Sequence, residues 1–309
     1  MNKTLVLFHS NCLDGICAAW VAHQRFGDDA IYIPVQYGAN GTVEERWEQL
    51  VSQLNNEPLI DRDIFVLDFS FPPDIAFKLY DCICSGEYNG ELTILDHHKT
   101  AMQEWEKYLV MSDGEKTSGV YVSEKLLVEF DMTVSGALLA YKYFFPRKSI
   151  PDLVKFVSDR DLWEFKYLVT RSYCAGLRTL PMTIESMEYA NNYSTEILAK
   201  GNAILEYQQG QVDAATADDR LRPITINGIT GLATNCNNNI SEVGEAICKK
   251  SGTFSCTFFV LDHEYVVLSF RSRGEVDVAE LAKSLSGGGH RGASGAKITI
   301  QRFFSEFWK

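Results

Sequence analysis

The chain has 309 residues, 46% hydrophobic and 23% charged, a balance that excludes a disordered or fibrous protein. Its longest apolar runs, such as Thr4-Leu5-Val6-Leu7-Phe8, fall far short of the roughly 20 residues of a membrane span, so no membrane partner is expected. With 29 Lys and Arg against 41 Asp and Glu, the net charge is −12. Long duplex nucleic acid is thereby disfavoured, because its phosphates need a dense basic surface. A small anionic substrate is still compatible if local cations or metals hold it.

This length favours two domains. Met1-Asn2-Lys3 and the strand-like residues after it carry no signal-peptide cleavage pattern, and the 8 cysteines include no CxxC pair. The expected setting is a cytoplasm with reduced thiols. The run 4–8 reads as a buried strand, Asn11-Cys12-Leu13-Asp14-Gly15 as a loop and Ile16 to Phe26 as a helix. Further strands are expected at Ile31–Val35, Ile64–Phe69 and Leu92–Leu95, with a helix near Val43–Leu54. Cys82-Ile83-Cys84 reads as strand, with two buried free thiols on one face. The alternation of strands and helices predicts a mostly parallel α/β sheet with ligands beyond the carboxyl ends of its strands.

From about 135 to 220 the pattern turns helical: Ser135–Phe145, Ile150–Ser158, and one long stretch from Ile184 to about Asp218. Strands return at Ile224–Ile226, Gly231–Thr234, Cys256–Leu261, Val266–Arg271 and Ala296–Ile300, with a helix at Val278–Leu285. The predicted organisation is an α/β N-terminal domain over 1–200, a helical connector over 201–220 and a smaller α/β domain over 221–309.

The chemistry collects at the strand ends. His9 follows the first strand with Asp14 in the next loop, Asp68 ends the third, and Asp96-His97-His98 follows the fourth. Asp159 and Asp161 arrive from a later helical segment. Any one of these taken singly reads as a helix cap or turn residue. Together, converging carboxylates and imidazoles would repel and lose desolvation energy unless divalent metals relieve the charge. The mixed donors suit Mn²⁺, Fe²⁺, Co²⁺ or Zn²⁺ rather than Ca²⁺, and their number suffices for a bridged pair of ions.

His9-(x)4-Asp14-Gly15, Leu67-Asp68-Phe69-Ser70, Leu95-Asp96-His97-His98-Lys99 and Asp159-Arg160-Asp161-Leu162-Trp163 resemble, in order, the four motifs of the DHH phosphoesterase superfamily. Gly287-Gly288-Gly289-His290-Arg291-Gly292-Ala293-Ser294-Gly295 resembles the glycine–histidine signature of the DHHA1 substrate domain. The resemblance implies an N-terminal DHH domain with a dinuclear site, most often Mn²⁺. By position, His9 would ligate the first metal and Asp68 would bridge both. Asp14, His97 and an Asp of the last motif would ligate the second, Asp159 being preferred to Asp161. His98 would contact phosphate or orient the nucleophile, and Asp96 would hold the tautomer of a ligand histidine.

Relatives carry an Asp ligand where this chain has Cys12. Three outcomes are open: the thiol ligates and shifts the preference toward Zn²⁺ or Fe²⁺, water takes its place, or catalysis is lost. In the C-terminal domain, successive glycines let backbone N–H groups approach an anion, although a tight turn explains most such runs. Arg271 is a planar cation suited to phosphate or to a surface salt bridge. The resemblance implies that Gly288, Gly289, His290 and Arg271 hold the nucleotide end of a substrate; Ser286 departs mildly from the signature. Trp163, Phe165, Phe303, Phe304, Phe307 and Trp308 can stack on bases, with core packing preferred.

The expected protein is a cytoplasmic hydrolase, monomeric or homodimeric. It would be a phosphodiesterase that cleaves short oligonucleotides or linear or cyclic dinucleotides with metal-activated water, as oligoribonucleases of the superfamily do. The alternatives are a phosphatase of nucleoside phosphomonoesters or bisphosphates, and a nucleotide-binding protein impaired at Cys12.

Overall fold

Apolar runs that are buried on both faces build the first sheet. A computed structural model describes residues 4–36, 42–54, 57–87, 90–112, 117–274 and 276–308. In β1 (Thr4–His9), Leu5 and Leu7 pack into one apolar layer while Val6 and Phe8 pack into the other. That two-sided burial belongs to a parallel sheet covered by helices on both faces. The chain continues through α1 (Leu13–Phe26), β2 (Ala30–Val35), α2 (Val43–Gln53) and β3 (Ile64–Leu67). Then come α3 (Pro73–Ile83), β4 (Leu92–Asp96) and α4 (Lys99–Trp105). A short hairpin region follows with β5 (Val110–Met111), β6 (Ser118–Ser123) and β7 (Leu126–Asp131). The strand order is β2-β1-β3-β4-β7-β6-β5, parallel from β2 to β7 and antiparallel over the last two.

Helices α5 (Gly136–Phe144), α6 (Asp152–Asp161), α7 (Thr170–Leu177) and α8 (Ile184–Asn192) join α1 on one face of this sheet. Helices α2 to α4 cover the other. Contacts divide the chain into two units, Met1–Ile204 and Leu205–Lys309, and α9 (Ser194–Ala215) runs through the division.

The second unit holds β8 (Arg222–Ile226), β9 (Ile229–Asn235), α10 (Ile240–Ser251), β10 (Phe254–Val260), β11 (Tyr265–Ser272), α11 (Val278–Ser284), β12 (Gly288–His290) and β13 (Ala293–Thr299). Its sheet order is β12-β13-β11-β10-β9-β8, with only the β9–β10 pair parallel. The architecture is thus α/β throughout, with a mostly parallel first sheet and a smaller second one.

Two expectations are corrected here. Cys82-Ile83-Cys84 is not a strand: it ends α3, which starts with Pro73 at its first position and buries Ile75, Ala76, Leu79 and Ile83 at helical spacing. The single long helix expected from Ile184 is two, because Tyr193 leaves helical geometry at φ −122°, ψ 42° between α8 and α9.

Candidate metal centre

The site grows from three neighbouring strand ends. His9 closes β1, Asp68 follows β3, Asp96 closes β4, and β3 lies between the other two in the sheet. Asp68 turns the chain away from the strand with φ at +62°, a left-handed conformation that Asp tolerates better than bulkier residues. Its carboxylate is fully buried. One oxygen stands 3.3 Å from His9 Nδ1 and the other 3.2 Å from His97 Nε2.

Around His97 Nε2 the acidic groups gather. Asp14 Oδ2 lies at 3.8 Å and Asp161 Oδ2 at 3.5 Å. Asp14 arrives on the first turn of α1, and its Oδ1 accepts a hydrogen bond from the backbone N–H of Ala137 at 3.2 Å. The amino end of α5, which carries partial positive charge, thus meets this carboxylate. Ser135 caps that helix by accepting from the Leu138 N–H.

Two glycines make the approach possible. A Cβ on Gly15 would sit 2.2 Å from the His9 carbonyl oxygen, and one on Gly136 would sit 2.5 Å from Asp68 Oδ1 and 2.7 Å from its Cα. Gly15 belongs to the first motif. Gly136 carried no signal that separated it from any helix-start glycine, and sequence reasoning missed it.

Asp96 organises the loop after β4. Its Oδ1 accepts from the backbone N–H groups of His97 at 2.7 Å and His98 at 3.1 Å, and pairs with His98 Nδ1 at 2.8 Å. That contact leaves Nε2 as the His98 nitrogen able to ligate, the usual carboxylate–histidine orientation of metal sites.

The result is two triads of converging donor atoms: His9, Asp68 and His98 in one, Asp14, Asp68 and His97 in the other. The atoms of each lie within 4.8 Å of one another, and Asp68 is common to both. Among the described residues, no donor stands in hydrogen-bond geometry to Asp14 Oδ2 or to either Asp68 oxygen, all three of which are buried. Buried carboxylate oxygens without donors are costly, and a cation between them removes that cost. The donor set fits a pair of divalent ions.

The protonation pattern agrees. Burial pushes Asp14 well above the usual carboxylate range, and the charges of Asp68 and Asp161 add to it. Burial opposes the ionised form of Asp68, yet the His9 and His97 rings beside it hold its carboxyl well below that range. Burial alone would lower His97, yet Asp68, Asp14 and Asp161 drive it up to about 9. Both upward shifts reflect the negative charge crowded around Asp68, which a cation would relieve.

Two expected ligands fall elsewhere. Asp159, the preferred ligand of the last motif, lies outside both triads. Asp159 Oδ1 accepts from the Lys166 N–H at 2.7 Å, and Oδ2 accepts from the Tyr167 N–H at 3.2 Å and from the Thr170 hydroxyl. Its lone pairs are spent on the chain that follows α6. Asp161, two residues further on, reaches His97 instead. Cys12 is in neither triad. It lines a cavity of about 270 Å³ with His9, Asp14, Arg160, Asp161 and Arg178, and burial together with the Asp68 charge raises its thiol far above the ordinary range. Sequence reasoning singled out neither arginine of that cavity. Arg160 sits inside the Asp159–Asp161 motif, whereas nothing in the sequence marked Arg178.

In the second unit, Gly288, Gly289 and His290 form the exposed edge strand β12 rather than an irregular loop. Gly289 has φ at +141°, and a Cβ there would meet Ser294 Cα at 2.5 Å, so the position needs glycine. Arg271 donates to the Phe270 carbonyl at 2.9 Å and to Ser241 Oγ at 3.2 Å, beside the first turn of α10. Phe303 is fully buried and packs with Phe258 and Trp308, in keeping with a core role, whereas its neighbour Phe304 is exposed. Trp163 is likewise open, 59% exposed where packing was expected.

Residues 219–309 match the DHHA1 domain family. An uncharacterized protein of Acanthamoeba polyphaga mimivirus is 24% identical over 307 residues, which is 94% of this chain and 66% of that protein, so the chain spans just under two thirds of this relative. The pGpG-specific phosphodiesterase PggH of Vibrio cholerae superposes with a TM-score of 0.50 at 12% identity, covering 97% of this chain and 95% of that one. An uncharacterized Helicobacter pylori protein superposes with a TM-score of 0.44 at 19% identity, covering 96% and 93%. The fold of the chain is thus similar to that of PggH, and its C-terminal residues match the DHHA1 domain family.

Proposed function

We propose that this protein is a metal-dependent phosphodiesterase acting on short oligonucleotides or dinucleotides. The observation that carries the reading is the pair of His/Asp triads sharing Asp68, with buried carboxylate oxygens left for cations. His9, Asp68 and His98 would hold one ion; Asp14, Asp68 and His97, with Asp161 beside them, would hold the second. Bound divalent ions supply Lewis-acid charge and a water that is nucleophilic near neutral pH. Asp96 keeps the His98 ring in one orientation. Arg160 and Arg178, lining the same cavity, offer planar donors to phosphate oxygens. The likeness of fold to a pGpG-specific phosphodiesterase and the DHHA1 match favour a substrate of nucleotide type. The net charge of −12 favours a short one.

The test is hydrolysis of a 5′-phosphorylated RNA dinucleotide by the purified chain with Mn²⁺, beside a His97→Ala control. Mononucleotide release by the wild type alone is expected. No turnover with Mn²⁺, Zn²⁺, Fe²⁺ or Co²⁺ would sink the reading for dinucleotides.

A further inference from the structure

Helix α6 ends in a Schellman motif. The Trp163 N–H bonds the Arg160 carbonyl at 3.0 Å, and the Glu164 N–H bonds the Asp159 carbonyl at 3.0 Å. In this motif the residue after the cap adopts a left-handed conformation, and glycine is the usual occupant. Here that residue is Trp163, at φ +59°. Phe165, two residues on, is also left-handed at φ +52°. Positive φ at one bulky aromatic is an outlier, and two of them within three residues mark a segment that its surroundings hold in place. Those surroundings are the three hydrogen bonds by which Asp159 clamps Lys166, Tyr167 and Thr170.

The conformation displays the aromatic rings instead of burying them. Trp163 is 59% exposed. Its ring meets Phe165 edge to face at 4.9 Å, and Arg171 lies 3.8 Å from the Phe165 ring centre. A purely structural helix end has no use for this arrangement, since glycine or asparagine would make the same turn without strain. The location supplies the use. Trp163 is two residues beyond Asp161, so their Cα atoms are within about 7 Å, and Asp161 reaches His97 in the metal centre. The Arg160 guanidinium lies 5.8 Å from the Trp163 ring centre, and Arg160 also lines the cavity of the centre. One arginine thus connects the cavity beside the His/Asp centre to an exposed aromatic face.

We infer that Trp163, supported by Phe165 and clamped by Asp159, is a stacking platform for the nucleobase of a nucleotide whose phosphate sits at the His/Asp centre. The inference rests on the nucleotide reading above and adds a base-binding element to it. Stacking on an aromatic face tolerates any base, so the platform contributes affinity without selecting among them.

The test is calorimetric titration of the Mn²⁺-loaded protein with GMP and, separately, with ribose 5-phosphate, which keeps the phosphate and lacks the base. Trp163→Ala and Trp163→Gly are expected to weaken GMP binding by about tenfold or more, with Trp163→Phe close to wild type. Binding of ribose 5-phosphate should be unchanged in all three. The melting temperature of Trp163→Gly should be no lower than that of the wild type, which separates the platform from a structural role. GMP affinity insensitive to Trp163, or no saturable GMP binding to the wild type, overturns the inference. Dinucleotide hydrolysis with Trp163-insensitive GMP binding would leave the phosphodiesterase reading standing without the platform. Trp163-dependent GMP binding without hydrolysis would do the reverse.

Discussion

At the residue scale, Asp159 and Asp161 share a helix and divide the work of one motif. Asp159 is 2% exposed and spends its carboxylate on the backbone of the following segment and on Thr170. Asp159→Asn is expected to cost about 1–3 kcal/mol of stability, the price of a buried charge-assisted acceptor, with a lower melting temperature as the readout. Burial opposes the ionised form of Asp159, but the Thr170 hydroxyl and the Lys166 and Tyr167 amides hold its carboxyl below the usual range. A depressed folded value means that this stability is present above the unfolded value of about 4 and is lost as pH falls through the folded one. The gap between wild type and Asp159→Asn should therefore be constant from neutral pH down to about 4 and narrow below it; a gap that widens on acidification would refute the assignment. Asp161→Ala is predicted to act oppositely. Its side chain is 29% exposed, so stability should change by less than about 0.5 kcal/mol, while Mn²⁺ affinity by calorimetry falls about tenfold or more.

At the element scale, the site depends on helix starts that press against strand ends. The first residue of α5 touches Asp68 through Gly136, and its N-terminal amides serve Asp14. Gly136→Ala inserts a methyl group where 2.5 Å separates it from Asp68 Oδ1. An overpacking cost of about 1–3 kcal/mol is expected. Metal affinity should fall more steeply than the melting temperature does, because the displaced residue is the shared one. Equal affinity in Gly136→Ala and wild type, measured by Mn²⁺ titration, would show that the contact has no bearing on the centre.

Sequence periodicity reached the elements that carry continuous buried runs or a helical stripe. β1 to β4 and α5 emerged because their apolar residues leave few alternatives. Strands β5 to β7 did not: the edge strand β5 has two residues, and β6 is only partly buried. Cys82 to Cys84 misread as strand because three residues cannot separate period 2 from period 3.6. The centre was legible through His9, Asp14, Asp68 and Asp96-His97-His98, whose ladder positions alone bring them to one edge. Asp159 and Asp161 were not separable, since the choice depends on which carboxylate the next loop consumes. Arg178 and Gly136 work through tertiary contacts that leave no local mark.

At the scale of the whole molecule, the two units have separate apolar cores. The second is built on Phe254, Phe270, Leu268 and Phe303, with a smaller cluster of Val212, Leu221 and Ile247 beside it. A fragment covering Leu205–Lys309 is expected to melt cooperatively by circular dichroism, and a broad, sloping transition would contradict its autonomy. Mn²⁺ at 100 times its dissociation constant should stabilise the intact chain by about 2.7 kcal/mol, since an ion that binds only the folded state shifts the balance by mass action. The fragment, lacking the strand-end triads, should show no such shift.

The order β1-β3-β4 has a consequence for how such a centre can change over evolutionary time. Each triad takes one donor from the β1 side, His9 or Asp14, and one from the loop after β4, His98 or His97. Only the residue on the middle strand, Asp68, belongs to both positions. A mutation on β1 or after β4 therefore alters one position and leaves its neighbour's ligands intact, whereas a mutation at Asp68 is felt by both at once. The sheet makes the two halves of the centre separately adjustable around a single fixed point.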